Sequence, residues 1–108
     1  LLIVLIEDIV AVQNLDEILT VDHIDVFFVA PSDLASSMGH TGEMNHPEAV
    51  EVMEGALRKI VDSGRTAGAL AWNHTAEKLD DEGIRFLMTP AQGWLAEGAT
   101  DFLKKARK

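Results

Sequence analysis

Residues 24–30 read IDVFFVA, an apolar run rich in β-branched and aromatic residues that ends at Pro31. A second run of this kind, LLIVLI at residues 1–6, stops at Glu7 and Asp8. Continuous apolar runs of this length are typical of strands that are buried on both faces of a parallel sheet. The sequence therefore predicts two parallel strands in the first third of the chain.

Two further short strands are predicted at residues 67–71 and 84–89, and apolar residues recur at helical spacing between and after the strands. These helical stretches lie at residues 12–19, 47–61, 75–82 and 95–106. Residues 31–46 form a polar stretch that we expect to be a long loop, and such loops are often functional. Four βα units in this order predict an α/β fold with a parallel sheet and right-handed crossovers.

The composition excludes several classes of partner and of site. The 108 residues include 9 Lys and Arg against 18 Asp and Glu, a net charge of −9, which argues against nucleic acid or an anionic membrane surface as a partner. No apolar run approaches the roughly 20 residues of a membrane span. The absence of Cys excludes disulfides, thiolate metal sites and a Cys nucleophile, and permits the cytoplasmic location that we expect.

The length alone leaves two architectures open. About 100 residues is typical of one small domain. Four βα units are also half of an eight-stranded barrel, whose usual length is about 250 residues. The chain begins directly on the apolar run LLIVLI, without Met. We therefore expect residues 1–108 to be a piece of a longer chain.

Acidic side chains follow the first two predicted strands. Sites in parallel α/β folds lie beyond the carboxyl ends of strands, and Glu7 and Asp33 occupy such positions about one βα unit apart. On neighbouring strands, about 4.8 Å apart, the two carboxylates would converge and suit Mg²⁺ or Mn²⁺. The alternative is structural, with Glu7 as a first-turn acid and Asp33 as a helix N-cap.

Other polar and aromatic residues offer weaker candidates. Backbone amides in the segment 31–39, PSDLASSMG, could hold a carboxylate, or the segment could be a plain capped turn. His40 and His46 lack the i,i+4 partner of a helical zinc site and are interpreted as loop residues. Trp72 and His74 follow the third strand, where Trp72 could line a pocket and His74 could either face a site or cap a helix. Trp94 is expected to pack under the last helix.

Three elements together resemble a known family. They are Leu5-Ile6-Glu7, the segment IDVFFVAPSDLA at 24–35, and the loop with SMGH at 37–40 and HPE at 46–48. Over nearly all of its length, and most strongly over residues 5–50, the chain is similar to the metal-dependent pyruvate aldolases of the HpcH/HpaI type. These include 4-hydroxy-2-oxoheptanedioate aldolase, 2-keto-3-deoxy-rhamnonate aldolase and macrophomate synthase.

The resemblance implies a (β/α)₈ TIM barrel in which residues 1–108 are the C-terminal half, supplying strands five to eight, with the first half absent. It implies that Glu7 and Asp33 bind a divalent metal, with Mg²⁺ as the first choice and Mn²⁺ or Co²⁺ as alternatives. It implies that the backbone amides of Ser32 and Asp33 bind substrate. The catalytic His and the substrate-binding Arg belong to the absent half, so no catalytic residue is assigned in this chain.

The implied enzyme is a carbon–carbon lyase. The metal chelates a 2-keto acid of the pyruvate or oxaloacetate class and stabilises its enolate for cleavage or formation of a bond to an aldehyde. The chain departs from the family pattern at Leu5, Ala30 and Gln92, where Gln, Gly and Asp are frequent. A relative that decarboxylates oxaloacetate and a non-catalytic half-barrel remain as alternatives. We expect an inactive isolated fragment that pairs with its missing half or forms homo-oligomers.

Overall fold

A computed structural model describes residues 1–107 of the chain. Its centre is a four-stranded sheet in the order β1-β2-β3-β4, with every neighbouring pair parallel. The strands are β1 (Ile3–Ile6), β2 (Val26–Val29), β3 (Ala67–Leu70) and β4 (Phe86–Met88). The predicted α/β fold, with four parallel strands alternating with helices, is confirmed.

Within residues 1–107, six helices connect and follow the strands. They are α1 (Ile9–Gln13), α2 (Leu15–Ile18), α3 (Pro31–Ser37), α4 (Pro47–Asp62), α5 (Ala76–Asp81) and α6 (Ala91–Ala106). The helical stretch predicted after the first strand is divided at Asn14, whose side chain donates a hydrogen bond to the Val10 carbonyl at 2.9 Å. Within residues 1–107 no helix combines the length and the apolar composition of a membrane span.

The prediction of one long loop over residues 31–46 is wrong in its first half, because residues 31–37 form α3. Pro31 occupies the first helical turn, where its fixed φ suits a helix start. Leu34 and Ala35 are fully buried in the core. Their burial stabilises a helix that could not be predicted from the polar sequence of this segment.

The hydrophobic core lies between one face of the sheet and helices α2, α3 and α4. The sheet contributes Ile6, Phe27, Val29, Ala67 and Ala69, and the helices contribute Leu15, Leu34, Ala56, Leu57 and Ile60. The alternation of side chains along each strand sends Phe27 and Val29 into this core and Phe28 to the opposite face. The apolar run at β2 is buried on both faces, as predicted, since Val26 and Phe28 are buried on the side opposite the core. The burial of both faces predicted for the run at residues 1–6 is wrong, because Leu2 and Leu5 are 51% and 54% exposed.

On the opposite face, Gly68 lies between two aromatic rings. Phe28, Gly68 and Phe86 occupy one row across β2, β3 and β4. The two rings meet edge to face across the glycine, with centroids 6.3 Å apart and an interplanar angle of 86°. A Cβ at residue 68 would lie 2.8 Å from Phe28 Cδ2 and 2.9 Å from Val26 Cγ1. The aromatic pair therefore depends on the absence of a side chain at this position.

Gly68→Ala should destabilise the complete protein by about 1–3 kcal/mol, because the added methyl group forces the rings apart. Gly55→Ala is the matched control. It lies within α4, no atom would lie within 4 Å of its new Cβ, and the change should stabilise by up to about 1 kcal/mol. Urea unfolding measures both effects. Equal stability of the two variants would contradict the described packing around Gly68.

Arg65, a residue that no sequence pattern singled out, connects the amino end of β3 to the segment before β2. Its guanidinium donates hydrogen bonds to the carbonyls of Leu19, Val21 and Ile24 at 2.7, 3.1 and 3.1 Å. The same group lies 4.7 Å from the centroid of the Phe27 ring. One side chain thus fixes the segment that leads into β2, on the edge of the sheet remote from Glu7.

The apolar stripe predicted at residues 95–106 does lie on a helix, but this helix is exposed. Helix α6 has no buried residue, and Leu95 and Phe102 are 72% and 68% exposed. Trp94, expected to pack under this helix, lies on it and is itself exposed. Leu87, on the helix-facing side of β4, is also exposed. Helical spacing predicts a helix, whereas burial needs a neighbouring surface that residues 1–107 do not supply.

Candidate metal and substrate site

Glu7 and Asp33 lie at the same edge of the sheet. Glu7 directly follows β1, and Asp33 lies in the first turn of α3, just after β2. The two strands are paired to their ends, with Ile6 opposite Val29, and the Ala30 amide donates to the Ile6 carbonyl at 3.1 Å. The spacing of one βα unit therefore corresponds to adjacent parallel strands, as the sequence predicted.

Neither carboxylate caps a helix. Asp8, and not Glu7, caps α1, accepting a hydrogen bond from the Val10 amide at 2.7 Å. Ala30 is the N-cap of α3, so the alternative of Asp33 as an N-cap is wrong, although its first-turn position suits the helix dipole. Within residues 1–107 neither Glu7 nor Asp33 has a hydrogen-bond or salt-bridge partner for its carboxylate.

This donor set fits a hard divalent cation. Glu7 is half-buried and Asp33 is exposed. Two carboxylates at an open edge leave room for the waters and substrate oxygens that Mg²⁺ retains in most protein sites. The chemistry of the residues present is therefore compatible with Mg²⁺ or a similar ion.

Hydrogen bonds connect the segment after β1 to α3. The Ile9 amide donates to Ser37 Oγ at 2.9 Å, and Ser37 Oγ donates to the Leu34 carbonyl at 2.7 Å. Because Ile9 lies two residues after Glu7 and Ser37 ends the helix that carries Asp33, these bonds hold the two acidic segments side by side.

The start of α3 presents free backbone amides. The Leu34 amide donates to the Ala30 carbonyl at 3.1 Å. The amides of Ser32 and Asp33, which precede it in the first turn, have no acceptor in the part of the chain that the structure describes. They lie beside the Asp33 carboxylate and at the same edge as Glu7. The resemblance described above implies that these two amides bind substrate.

A cavity of about 240 Å³ lies farther along the same edge, beyond β3 and β4. Trp72 and His74 line it, which is one of the alternatives that the sequence left open for them. Trp94 forms another part of its wall and donates a hydrogen bond from Nε1 to Asn73 Oδ1 at 3.0 Å. Trp94 therefore has a hydrogen-bond partner near the end of β3, although no residue of α6 is buried.

A cluster of two histidines and a glutamate that was not predicted from the sequence lies at the start of α4. The rings of His40 and His46 stack with centroids 3.6 Å apart and an interplanar angle of 12°. His40 Nε2 is 2.8 Å from Glu48 Oε2, and His46 Nδ1 accepts a hydrogen bond from the Glu48 amide at 3.3 Å. One ligand atom from each of the three residues lies within 4.8 Å of the others.

The sequence indicates the positions of His46 and Glu48 but not that of His40. The order His46-Pro47-Glu48 marks a helix start, because His46 caps α4 and Pro47 opens its first turn. The return of His40 to this point depends on two left-handed backbone positions, Gly39 with φ 89° and Gly42 with φ 80°. The i,i+4 spacing of ligands on one helix does not apply to His40 and His46, because a turn of the loop brings them together.

Comparisons with known proteins identify the family. The family model HpcH/HpaI aldolase/citrate lyase matches residues 1–96. A hydroxypyruvate/pyruvate aldolase of Cupriavidus necator is 45% identical over 89 residues, which are 82% of this chain and 33% of the relative. A 2-keto-3-deoxy-L-rhamnonate aldolase of Klebsiella pneumoniae is 37% identical over 101 residues, which are 93% of this chain and 38% of the relative.

Solved structures show the same fold. An HpcH/HpaI aldolase/citrate lyase family protein from Burkholderia cenocepacia superposes with a TM-score of 0.87 at 28% identity, covering 98% of this chain and 42% of that one. An HpcH/HpaI aldolase from Desulfitobacterium hafniense gives a TM-score of 0.76 at 26% identity, covering 93% and 41%. The chain thus spans between a third and a half of these relatives, and it belongs to the HpcH/HpaI aldolase/citrate lyase family.

Proposed function

We propose that this chain is the C-terminal half of a (β/α)₈ barrel, and that the complete protein is a divalent-metal-dependent aldolase. The reaction would cleave or form a carbon–carbon bond between a pyruvate unit and an aldehyde. The observation that carries the proposal is the placement of Glu7 and Asp33 at one sheet edge, without other partners in residues 1–107, in a chain of an aldolase family. The relatives named as aldolases support the reaction class.

The proposal gives each residue a role. Glu7 and Asp33 hold the ion through carboxylate oxygens, Mg²⁺ being the first choice and Mn²⁺ or Co²⁺ the alternatives. When bound, the ion supplies Lewis acidity at the 2-keto oxygen of the substrate. The amides of Ser32 and Asp33 bind the substrate carboxylate, and the half-buried position of Glu7 limits water around it. The residues that move protons belong to the other half of the barrel.

The substrate is proposed to be a 2-keto acid of the pyruvate or oxaloacetate class, and we place the enzyme in the cytoplasm, which the lack of Cys permits. The test is an assay of the complete protein with Mg²⁺, Mn²⁺ or Co²⁺ against 4-hydroxy-2-keto acids and oxaloacetate. Metal-dependent release of pyruvate from the aldol substrates is expected. Turnover of oxaloacetate alone would favour a decarboxylase, and no turnover of either would favour a non-catalytic barrel.

The isolated 108-residue chain should not remain a monomer. Within residues 1–107, β1 and β4 each have a neighbouring strand on one side only. The sheet face opposite the core exposes Leu5 and Met88 at 54% and 50%. Unpaired strand edges next to exposed apolar side chains promote association.

Sedimentation velocity of the isolated chain measures this directly. We expect dimers or larger species at micromolar concentration, and a smaller fraction of them after the rest of the barrel is supplied as a separate polypeptide. A well-folded monomer that keeps its helical circular dichroism at all concentrations would contradict the half-barrel proposal.

A further inference from the structure

We propose that His40, His46 and Glu48 form a second cation site, which takes a transition ion such as Zn²⁺ and fastens the loop of residues 38–46 to the start of α4. The site is separate from Glu7 and Asp33 and does not depend on the proposed aldolase activity. It rests on three ligand atoms, one from each residue, that lie within 4.8 Å of one another.

The donor set points to the class of ion. Two imidazole nitrogens and one carboxylate oxygen are the ligands that protein sites use for Zn²⁺, with a fourth position left for water. Mg²⁺ prefers oxygen ligands alone and should not compete here. The net charge of −9 on the chain favours the approach of any cation. The two proposed sites therefore differ in the ions that they select.

The ligand atoms are those already turned toward Glu48. His40 Nε2 is 2.8 Å from Glu48 Oε2, and His46 Nδ1 faces the Glu48 amide at 3.3 Å. An ion bound by His40 Nε2, His46 Nδ1 and Glu48 Oε2 replaces these two hydrogen bonds. Because His46 Nδ1 accepts the hydrogen bond from the Glu48 amide, a neutral His46 already carries its proton on Nε2. A neutral His40 that donates from Nε2 to Glu48 must move its proton to Nδ1 when Nε2 binds the ion. No net proton is released when both imidazoles start neutral.

Side-chain rotation is the main adjustment that binding requires. The stacked rings are nearly parallel, with an interplanar angle of 12°, so the two lone pairs converge on one ion only after the rings splay apart. Ligands of a tetrahedral Zn²⁺ with bonds of about 2.0–2.1 Å lie roughly 3.3 Å apart, somewhat more than the present 2.8 Å between His40 and Glu48. Glu48 is largely exposed and can move outward by this amount.

The backbone around the cluster is already fixed. The His40 amide donates to the Ala35 carbonyl and the His46 amide to the Glu43 carbonyl, each at 2.8 Å, while the Val50 amide donates to the His46 carbonyl at 3.0 Å. The ligands are thus anchored on both sides of the loop. Ion binding orders side chains and leaves the chain path unchanged, which lowers its entropic cost.

The experiment uses the complete, tag-free protein with the Glu7→Gln and Asp33→Asn substitutions, so that ions bound by those carboxylates do not contribute. Calorimetric titration of the chelator-treated protein should show one Zn²⁺ per chain and no binding of Mg²⁺. Co²⁺ should give the intense visible absorption of a four-coordinate ion, and Zn²⁺ should displace it. Zn²⁺ should also raise the melting temperature.

Variants of the ligands separate binding from folding. His46→Asn removes the imidazole but keeps a good N-cap residue, and His40→Gln keeps a polar side chain. Each should weaken Zn²⁺ binding at least tenfold, and the double variant should abolish both binding and the thermal shift. His74→Gln is the control and should bind like the parent. Stoichiometric Zn²⁺ binding that persists in the double variant, or no Zn²⁺ binding by the parent, would overturn the proposal.

Discussion

Glu7→Gln and Asp33→Asn in the complete protein should each lower metal-dependent cleavage of a pyruvate aldol substrate by at least about 100-fold. Each change keeps the shape of the side chain and removes the negative charge that binds the ion. At the paired ends of β1 and β2 the Asp8 carboxylate caps α1, which leaves Glu7 and Asp33 as the two carboxylates without a partner in residues 1–107, so each is needed for the ion. The loss should appear as weaker metal activation and as a lower kcat at saturating metal.

Glu17→Gln is the matched control, since it removes the same charge from an exposed residue of α2 that lies outside the sheet edge. Steady-state kinetics over a range of Mg²⁺ and Mn²⁺ concentrations compares the three variants with the parent. The control should retain parental activity. Parental activity in Glu7→Gln or in Asp33→Asn would remove that residue from the metal site.

Phe27→Ala should destabilise the protein by about 3–5 kcal/mol, the largest stability effect that we expect from one substitution. Phe27 is 0% exposed and lies at the centre of the core, between the sheet and the helices. Its removal leaves a cavity and takes away the ring that the Arg65 guanidinium covers. Both losses act at β2, the strand that also positions Asp33.

Phe27→Leu is the graded control for this prediction. It keeps most of the buried volume, so its loss of stability should be clearly smaller than that of Phe27→Ala. Urea unfolding followed by both fluorescence and circular dichroism gives the free energies and checks that the transition is two-state. A cost below about 1 kcal/mol for Phe27→Ala would mean that the core does not close around this residue.

The strands and the two acidic residues that follow them could be predicted from the sequence alone. Continuous apolar runs are typical of strands in a parallel sheet, and residues 1–6 and 24–30 are such runs, although within residues 1–107 only the second is buried on both faces. The next polar residues must then lie at the carboxyl edge, which placed Glu7 and Asp33 together once the strands proved to be neighbours. Helix α4 could be predicted equally well, because Pro47 marks its start and its apolar stripe packs against the sheet.

The remaining features depend on tertiary contacts that no local pattern encodes. Helix α3 forms in a polar segment because Leu34 and Ala35 reach the core. His40 reaches His46 because Gly39 and Gly42 turn the intervening loop. The exposure of α6 is the opposite case, in which a clear apolar stripe lacks a covering surface within residues 1–107. Local spacing thus predicts the element but not its partner.

The most direct test of the metal site is the location of the ion itself. Crystals of the complete protein grown with Mn²⁺, and measured at a wavelength where Mn scatters anomalously, would show where it binds. We predict an anomalous peak whose coordination sphere includes one oxygen of Glu7 and one of Asp33, beside the amides of Ser32 and Asp33. A protein that is active with Mn²⁺ but holds the ion on other residues would contradict this account.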